Sequence, residues 1–169
     1  NDLITNVNQA SAISITSTNG QFRIITVYRS PNSSHSNNAA LNELVRSMSS
    51  GRTVFVGDFN YKNIDWDKGG LSTTDAQAGG FYDAVCDGFL HQHVGFPTRG
   101  ENVLDLVLGS QSATITDVSE EGKLGTSDHV ALSFRLGDRV ETFTKTKQKV
   151  PNFRKANFRA ISDALLLYD

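Results

Sequence analysis

Cysteine is almost absent from this sequence of 169 residues, and long apolar runs are missing altogether. Because Cys86 has no second cysteine to pair with, an internal disulfide is excluded and a reducing compartment is the expected environment. The surrounding stretch, YDAVCDGFL, is typical of an amphipathic helix, so we expect a buried and unreactive thiol. No apolar run approaches the roughly 20 residues of a membrane-spanning helix. The opening residues, NDLITNVNQA, have neither a basic start nor an apolar core, and we expect no signal peptide.

Residues that bind zinc are scarce as well, since the chain has one cysteine and four histidines. His91 and His93 in the stretch HQH have neither a cysteine nor a further histidine nearby to complete a tetrahedral site. A zinc centre at these two histidines is therefore a poor candidate. Trp66, the only tryptophan, lies in NIDWD, where we expect it to anchor a loop on the body of the protein.

Charge is balanced overall but unevenly distributed along the chain. The formal net charge is −2, and 38% of the residues are hydrophobic, which is typical of a single globular domain at this length. Residues 1–138 carry 9 Lys and Arg against 15 Asp and Glu, whereas residues 139–159 carry 7 against 1. The overall balance does not indicate a nucleic-acid-binding protein, so that function must rest on particular residues.

Hydrophobic periodicity predicts a mixture of strands and helices. Two alternating β-branched runs in residues 11–30 flank Asn19-Gly20, which predicts a tight hairpin. Helices are predicted at residues 37–51 and 74–94. Further strands are predicted at residues 52–56, 102–110, 112–119 and 129–137. Strands outnumber helices and the two are interspersed, which favours an α/β sandwich over a barrel.

The end of the sequence has a different character. Residues 138–152 are polar and basic and carry no core pattern, which predicts a linker. Residues 153–169 predict an amphipathic helix, with Phe158, Ile161 and Leu165 roughly on one side. We expect this helix to dock on its own body, on a second copy, or on a following domain.

The stretch TVFVGDFN places polar side chains directly after a predicted buried strand. Residues two apart in an extended chain point to the same side. Asp58 and Asn60 are therefore expected to share one face, while Phe59 points into the core. This predicts a polar pair on a rigid support.

Other polar side chains occupy similar positions in the sequence. Tyr28 ends the strand RIITVY, Asp105 interrupts the apolar run VLDLVLG, and Asp128 and His129 open the last strand. Each has a structural explanation by itself, since Asp is common in turns and a lone histidine is usually a surface or structural residue. Together they form the kind of group that binds a divalent cation and positions a water.

Phosphodiester hydrolysis is the chemistry that such a group favours. Three side chains offer the oxygen ligands that Mg²⁺ prefers, namely Asp58, Asn60 and Asp128. Asp58 is alternatively a proton acceptor for the attacking water. His129 is suited to contact a non-bridging phosphate oxygen, with Asp105 orienting its ring, and Tyr28 is suited to donate to the phosphate or the leaving oxygen.

Three motifs resemble, in order, those of the endonuclease/exonuclease/phosphatase superfamily: GDFN, RGENVLDLVLGS and GTSDHVALSF. The longer stretches VGDFNYKNIDW and HVGFPTRGENVLDLVL are most similar to endonuclease domains of non-LTR (LINE-type) retrotransposons. The stretch NFRKANFRAISDAL is similar to the segment joining such domains to a reverse transcriptase. The resemblance implies part of a four-layered α/β sandwich, with two mostly antiparallel sheets flanked by helices.

The resemblance also implies roles for individual residues. The implied catalytic residues are Tyr28, Asp58, Asn60, Asp105 and His129. The implied ligands for Mg²⁺ or Mn²⁺ are Asp58, Asn60, Asp128 and His129. The residues expected near the DNA backbone are Arg29, Asn32, Thr98 and Arg99. The implied partners are DNA and a reverse transcriptase domain of the same polyprotein, without a membrane, and the implied location is intracellular, in the nucleus during action.

One part of the family pattern has no counterpart in this sequence. Family members begin with a strand bearing an Asn, a helix, and a strand ending in a metal-binding Glu, and nothing before Ala10 supplies these. The chain is therefore expected to be the C-terminal part of such a domain, with an open sheet edge that favours a homodimer, through that edge or the C-terminal helix. Three functions remain open: a DNA-nicking endonuclease, an inactive binding or assembly module, and a phosphatase of the same superfamily.

Overall fold

A computed structural model describes residues 2–17, 20–66, 70–71, 75–137 and 157–160 of the chain. Two compact units are distinguished, Asn1–Arg139 and Val140–Asp169. In the second unit, residues 158–160 are helical, and Asn157 Oδ1 accepts a hydrogen bond from the backbone N–H of Ala160 at 3.1 Å. The predicted linker at 138–152 and most of the predicted helix at 153–169 lie outside the described residues.

The first unit alternates strands and helices. In chain order its elements are α1 (Asp2–Thr5), β1 (Ala10–Ser17), β2 (Gly20–Tyr28), α2 (His35–Met48), β3 (Arg52–Asp58), β4 (Ile64–Asp65), β5 (Gly70–Leu71), α3 (Ala76–Asp87), β6 (Leu90–Gln92), β7 (Asp105–Ser110), β8 (Thr114–Lys123) and β9 (Val130–Gly137). The predicted hairpin is confirmed as β1 and β2, although Asn19 of its turn lies outside the described residues.

A five-stranded sheet in the order β1-β2-β3-β7-β6 is the framework of this unit. Only β2 and β3 pair in parallel, because α2 connects them and returns the chain to the same end of the sheet. The other neighbours pair antiparallel. Two smaller sheets accompany it in the described residues, β4-β5 and β8-β9. The mixed α/β architecture predicted from the sequence is therefore confirmed.

The two faces of the large sheet have separate cores. Phe55, Leu106 and Leu108 pack on one face with buried residues of α2 and α3. Val54 and Val107 point to the opposite face, where β8 and β9 supply partly buried apolar side chains. This alternation of neighbouring residues along β3 and β7 follows from the pleat of a strand. The site residues at the ends of these strands are thereby held by packing on both sides.

The two longer helices, α2 and α3, each begin at a polar cap and bury one apolar face. Ser34 Oγ accepts the Asn37 N–H at 3.2 Å at the start of α2, and Asp75 caps α3. The predicted second helix was expected to extend to residue 94, but it ends at Asp87. Phe89 has a φ of 50°, and the chain then forms β6 against β7. Cys86 is exposed rather than buried, because the inward face of α3 is formed by its neighbours in the turns of the helix.

Two loops and one edge strand complete the description of the first unit. The predicted strand at 102–110 begins only at Asp105, because Asn102 forms a turn with Arg99. Trp66 packs against Tyr82, with ring centroids 6.0 Å apart, in agreement with the expected loop anchor. Within the described residues, β1 is an edge strand carrying two exposed apolar side chains, Ile13 and Ile15. No helix in the described ranges is both long enough and apolar enough for a membrane span.

Gly57 is the position where the pairing of β3 with β2 leaves no room for a side chain. Its φ is 138°, and a Cβ would lie 1.9 Å from the carbonyl oxygen of Val27. We expect Gly57→Ala to lower the free energy of unfolding by more than about 2 kcal/mol, measured by urea denaturation. Gly51→Ala is the matched control, since its φ is 70° and nothing lies within 4 Å of the added Cβ. That control should cost about 1 kcal/mol, and an equal loss at both positions would contradict the explanation.

Candidate functional site

Three strands bring their polar terminal residues into one row. Tyr28 at the end of β2 pairs with Asp58 at the end of β3, and Asp58 pairs with Asp105 at the start of β7. Cross-strand partners point to the same face of a sheet. That face is the one covered by β8 and β9, since Val54 and Val56 share it with Asp58. The sequence-predicted residues on these three strands are therefore neighbours in the structure.

His129 completes the group from the second sheet. Its Nδ1 lies 2.8 Å from Asp105 Oδ2, and its Nε2 lies 4.0 Å from Asp58 Oδ2. Because an ionised carboxylate only accepts hydrogen bonds, Asp105 holds the proton of the ring on Nδ1. The other ring nitrogen then faces Asp58. Both carboxylates and the imidazole are partly buried, with side-chain exposures between 15% and 22%.

Thr98 connects the histidine to the large sheet. Its carbonyl oxygen accepts the N–H of Val130 at 2.9 Å, which fixes the start of β9 beside it. Its hydroxyl Oγ1 accepts the N–H groups of Leu104 and Asp105, both at 3.0 Å. The side chain is 1% exposed, so Thr98 supports the site from inside. The expectation that Thr98 contacts a DNA backbone does not fit this burial.

Asn60 lies beside Asp58 in a tight turn. The strand β3 ends at Asp58, and Asn60 has a φ of 51°, so the extended alternation assumed from the sequence does not reach it. The turn itself keeps the pair together, since the Asn60 N–H donates to Asp58 Oδ1 at 3.1 Å. Asn60 Nδ2 donates to the Arg29 carbonyl at 2.9 Å. Its Oδ1 is buried and has no hydrogen-bond partner in the described part of the chain.

Arg29 is buried under this turn, with 4% of its surface exposed. Its guanidinium donates to the carbonyl oxygens of Phe59 and Asn60 at 3.3 and 3.2 Å. It also donates to Asn38 Oδ1 at 2.8 Å and Gln77 Oε1 at 3.3 Å. Arg29 was expected near DNA because it follows Tyr28 in a loop. Because Arg29 is buried, it supports the site from inside the protein. The amides that it binds, Asn38 and Gln77, belong to no motif from which this contact could have been predicted.

The remaining predicted residues lie on the surface around the group. Arg99 Nε and Asp128 Oδ2 form an exposed ion pair at 2.7 Å. Asn32 is exposed in the loop after β2, and Tyr28 is 45% exposed. Desolvation raises the pKa of Asp128, but the charge and hydrogen bond of Arg99 outweigh it, so that the pKa lies below its usual value.

A metal ion fits the inner group, which consists of Asp58, Asp105 and His129. Ligand atoms of Asp58, Asp105 and His129 lie within 4.8 Å of one another, the one such group of His, Cys, Asp and Glu among the described residues. The unpaired Asn60 Oδ1 adds an oxygen that a cation would satisfy. Carboxylate and amide oxygens suit Mg²⁺ or Mn²⁺. Asp128 was expected among the ligands, but its carboxylate pairs with Arg99 outside this group, whereas Asp105 belongs to it.

Electrostatics set Asp58 apart from an exposed carboxyl. Burial and the neighbouring Asp105 carboxylate raise its pKa above the usual 3.8, against the lowering effects of His129 and of hydrogen bonds from Asn60. The folded state therefore holds the Asp58 proton more tightly than the unfolded state does. The stability that Asp58 contributes is complete below pH 3.8 and is lost as the pH rises through the folded-state pKa.

Comparisons with known proteins concern the family and the fold of the chain. A family described as endonuclease-reverse transcriptase matches residues 22–133. The endonuclease domain of TRAS1, a telomere-specific non-LTR retrotransposon, is similar in structure with a TM-score of 0.61 and 18% identity, over 79% of this chain and 64% of that one. The 3′ phosphatase NExo from Neisseria, bound to product DNA hairpin, has a TM-score of 0.52 and 20% identity, over 75% and 64%.

The chain spans 64% of the length of each of these two solved structures. At these identities the likeness concerns the fold. No curated protein matches the sequence.

Removing the partly buried charge of Asp58 should stabilise the protein. In metal-free buffer at pH 7, we expect Asp58→Asn to raise the free energy of unfolding by about 0.5–2 kcal/mol. The gain should shrink as the pH falls toward 3.8, where the wild-type carboxyl is protonated. Urea denaturation at several pH values measures this, with Asp83→Asn on the exposed side of α3 as control. A variant that is less stable than wild type at pH 7 would contradict the electrostatic explanation.

The hydroxyl of Thr98 offers a second test of the support around the site. Thr98→Val keeps the shape of the side chain but leaves two backbone N–H groups without an acceptor. We expect a loss of about 2 kcal/mol in the free energy of unfolding, measured by urea denaturation. Thr98→Ser keeps the hydroxyl and should cost about 1 kcal/mol. If valine and serine cost the same, the two hydrogen bonds do not hold this loop.

Proposed function

Since the chain belongs to the endonuclease-reverse transcriptase family of the endonuclease/exonuclease/phosphatase superfamily, we propose that it is a divalent-metal-dependent nuclease that hydrolyses phosphodiester bonds of DNA. The observation that carries the proposal is the contact of His129 with Asp105, on the opposite side of the imidazole from Asp58. A carboxylate, an oriented imidazole and a second carboxylate are the groups that activate a water beside a phosphate.

Asp58 is the proposed acceptor of the proton of the attacking water. Its raised pKa makes it a stronger base than an exposed carboxylate. Because Asp105 accepts the hydrogen bond from Nδ1–H, His129 contacts the phosphate through Nε2. A ring that carries a proton on Nε2 donates there to a non-bridging phosphate oxygen.

Alternatively, Asp58 holds the metal ion together with Asn60 and Asp105, and in that arrangement it does not take the proton of the attacking water. When bound, Mg²⁺ or Mn²⁺ supplies positive charge that stabilises the phosphoryl oxygens during hydrolysis. Among the described residues, none of the glutamates belongs to this group: Glu43, Glu101, Glu120 and Glu121 lie elsewhere. The proposed site therefore depends on aspartates, asparagine and histidine.

DNA contacts are proposed for the exposed residues around the inner group. Tyr28, Asn32 and Arg99 lie in the row or in the loops next to it. Arg99 would contact a phosphate by exchanging its ion pair with Asp128, since both side chains are exposed. We propose that the cut serves target-primed retrotransposition, together with a reverse transcriptase domain that the family description couples to the nuclease.

Two other functions have a basis in the observations. The fold is shared with a protein described as a 3′ phosphatase, and the inner group would suit a phosphate monoester as well as a diester. With the exposed residues Tyr28, Asn32 and Arg99 around the site, the fold would also serve as a DNA-binding module without hydrolysis. The three functions differ in the products that they form from defined DNA substrates.

Nicking of supercoiled plasmid with Mg²⁺ or with EDTA is the first experiment. We expect Mg²⁺-dependent nicking that falls at least about 100-fold in His129→Ala, since the loss of one donor to a charged oxygen in the transition state typically costs 10²–10³-fold. His91→Ala is the matched control, because this exposed histidine of β6 pairs with Gly109, away from the start of β7. It should nick like the wild type.

The alternatives give other results in parallel assays. Phosphate release from a 3′-phosphorylated oligonucleotide, without nicking, would mean that the protein is a phosphatase and not an endonuclease. A shift of duplex DNA in a native gel, without either product, would identify a binding module. Nicking that survives in His129→Ala would mean that a contaminating nuclease or another site is responsible.

A further inference from the structure

A positively charged side chain is buried directly behind the proposed metal ligand Asn60. Arg29 is 4% exposed, and the acceptors of its hydrogen bonds are neutral: two backbone carbonyls and two side-chain amides. Its guanidinium also lies 3.9 Å from the centroid of the Tyr61 ring. The Asp75 carboxylate at the start of α3 balances part of this charge, since hydrogen bonds and the charge of Arg29 lower the pKa of Asp75, but the four hydrogen bonds of Arg29 go to neutral groups. An apolar residue would fill the same space without the cost of burying a cation. The arrangement therefore calls for a function other than packing.

Helix electrostatics increase the cost. Asn38 and Gln77 belong to the first turns of α2 and α3, where the positive ends of the two helix dipoles lie. A guanidinium that binds both amide oxygens is thus held near two helix ends that disfavour a cation, an effect that the capping Asp75 carboxylate offsets in part at α3. The amides are also tied to each other, since Asn38 Nδ2 donates to Gln77 Oε1 at 2.7 Å. The result is a closed network that joins both helices to Arg29.

The network acts on one short segment of the site. Arg29 donates to the carbonyls of Phe59 and Asn60, and its own carbonyl accepts from Asn60 Nδ2 at 2.9 Å. Asn60 is therefore held on its backbone and on its side chain by the same residue. This fixes a residue with a φ of 51°, a conformation that is unfavourable for a side chain other than glycine. It also leaves Asn60 Oδ1 buried without a partner.

We propose that Arg29 is a positioning residue, which holds Asn60 so that its Oδ1 is presented to the metal or to the phosphate. The proposal rests on the proposed function for the use of the oxygen, but the holding of Asn60 is independent of it. A planar fork with five N–H donors is needed, because four acceptors converge on one group and Tyr61 stacks on its face. Lysine has the charge but neither the fork nor the planar face.

Arg29→Lys is therefore the informative substitution. We expect its Mg²⁺-dependent nicking rate to fall about 10–100-fold, as for residues that orient a metal ligand. Apparent Mn²⁺ affinity, followed by electron paramagnetic resonance, should weaken by a similar factor. Arg46→Lys is the matched control, since Arg46 is an exposed partner of Asp87 at the other end of α2. It should leave both quantities unchanged.

Two further variants distinguish the positioning role of Arg29 from a purely structural role. Val85→Ala removes a buried side chain from the far half of α3 and lowers stability without touching the network. It should leave the nicking rate within about threefold of wild type at a temperature where the protein is folded. In an Asn60→Ala background, Arg29→Lys should cost less than about threefold, because the residue that it positions is gone. Full additivity of the two substitutions would overturn the proposal.

A spectroscopic readout keeps the proposal distinct from the proposed function. The side-chain amide signals of Asn60 report its hydrogen bond to Arg29 in the absence of metal and DNA. These signals should shift or broaden in Arg29→Lys and stay unchanged in Arg46→Lys. If the wild type does not nick, the nuclease function fails, while a changed Asn60 signal still supports the positioning role. An unchanged Asn60 signal would overturn that role even in an active enzyme.

Discussion

The in-register pairing of β3 with its two neighbours is the constraint on which the site depends. It places Tyr28, Asp58 and Asp105 in one row on one face of the sheet. A slip of one residue in either pairing would turn Asp58 toward the helices and remove it from His129. Close approach of β2 at Gly57 fixes one side of the pairing, and the Thr98 hydroxyl fixes the other by holding the N–H of Asp105.

The support of the site is polar, and this distinguishes it from the rest of the interior. Elsewhere the large sheet is covered by two apolar clusters, one on each face. At the end of β3 the chain instead uses a buried guanidinium, an asparagine in a left-handed conformation and a carboxyl with a raised pKa. Such groups lower the stability of a fold, so they persist only where the surrounding packing holds them and where they serve a function.

Much of this arrangement follows from local sequence, and the remainder depends on contacts between distant segments. The strand pattern and the order of the motifs predicted the α/β fold and the meeting of Asp58, Asp105 and His129. The end of α3 was missed because the apolar pattern continues into β6, where pairing with β7 decides the structure. Arg29 and Thr98 were assigned to the surface because they occur in loops. Their burial depends on acceptors and donors that come from other elements, which one-dimensional periodicity does not contain.

The inner group is divided between two sheets of unequal size. Asp58 and Asp105 belong to a sheet of five strands, whereas His129 lies directly before β9, which belongs to a sheet of two in the described residues. A two-stranded sheet has little stability of its own and relies on its packing against the larger one. Local opening of β8 and β9 would withdraw the imidazole while the helices and the large sheet stay folded. On warming, we expect the contact of His129 with Asp105 to be lost at a temperature that the β8-β9 sheet sets, before the global unfolding that calorimetry records.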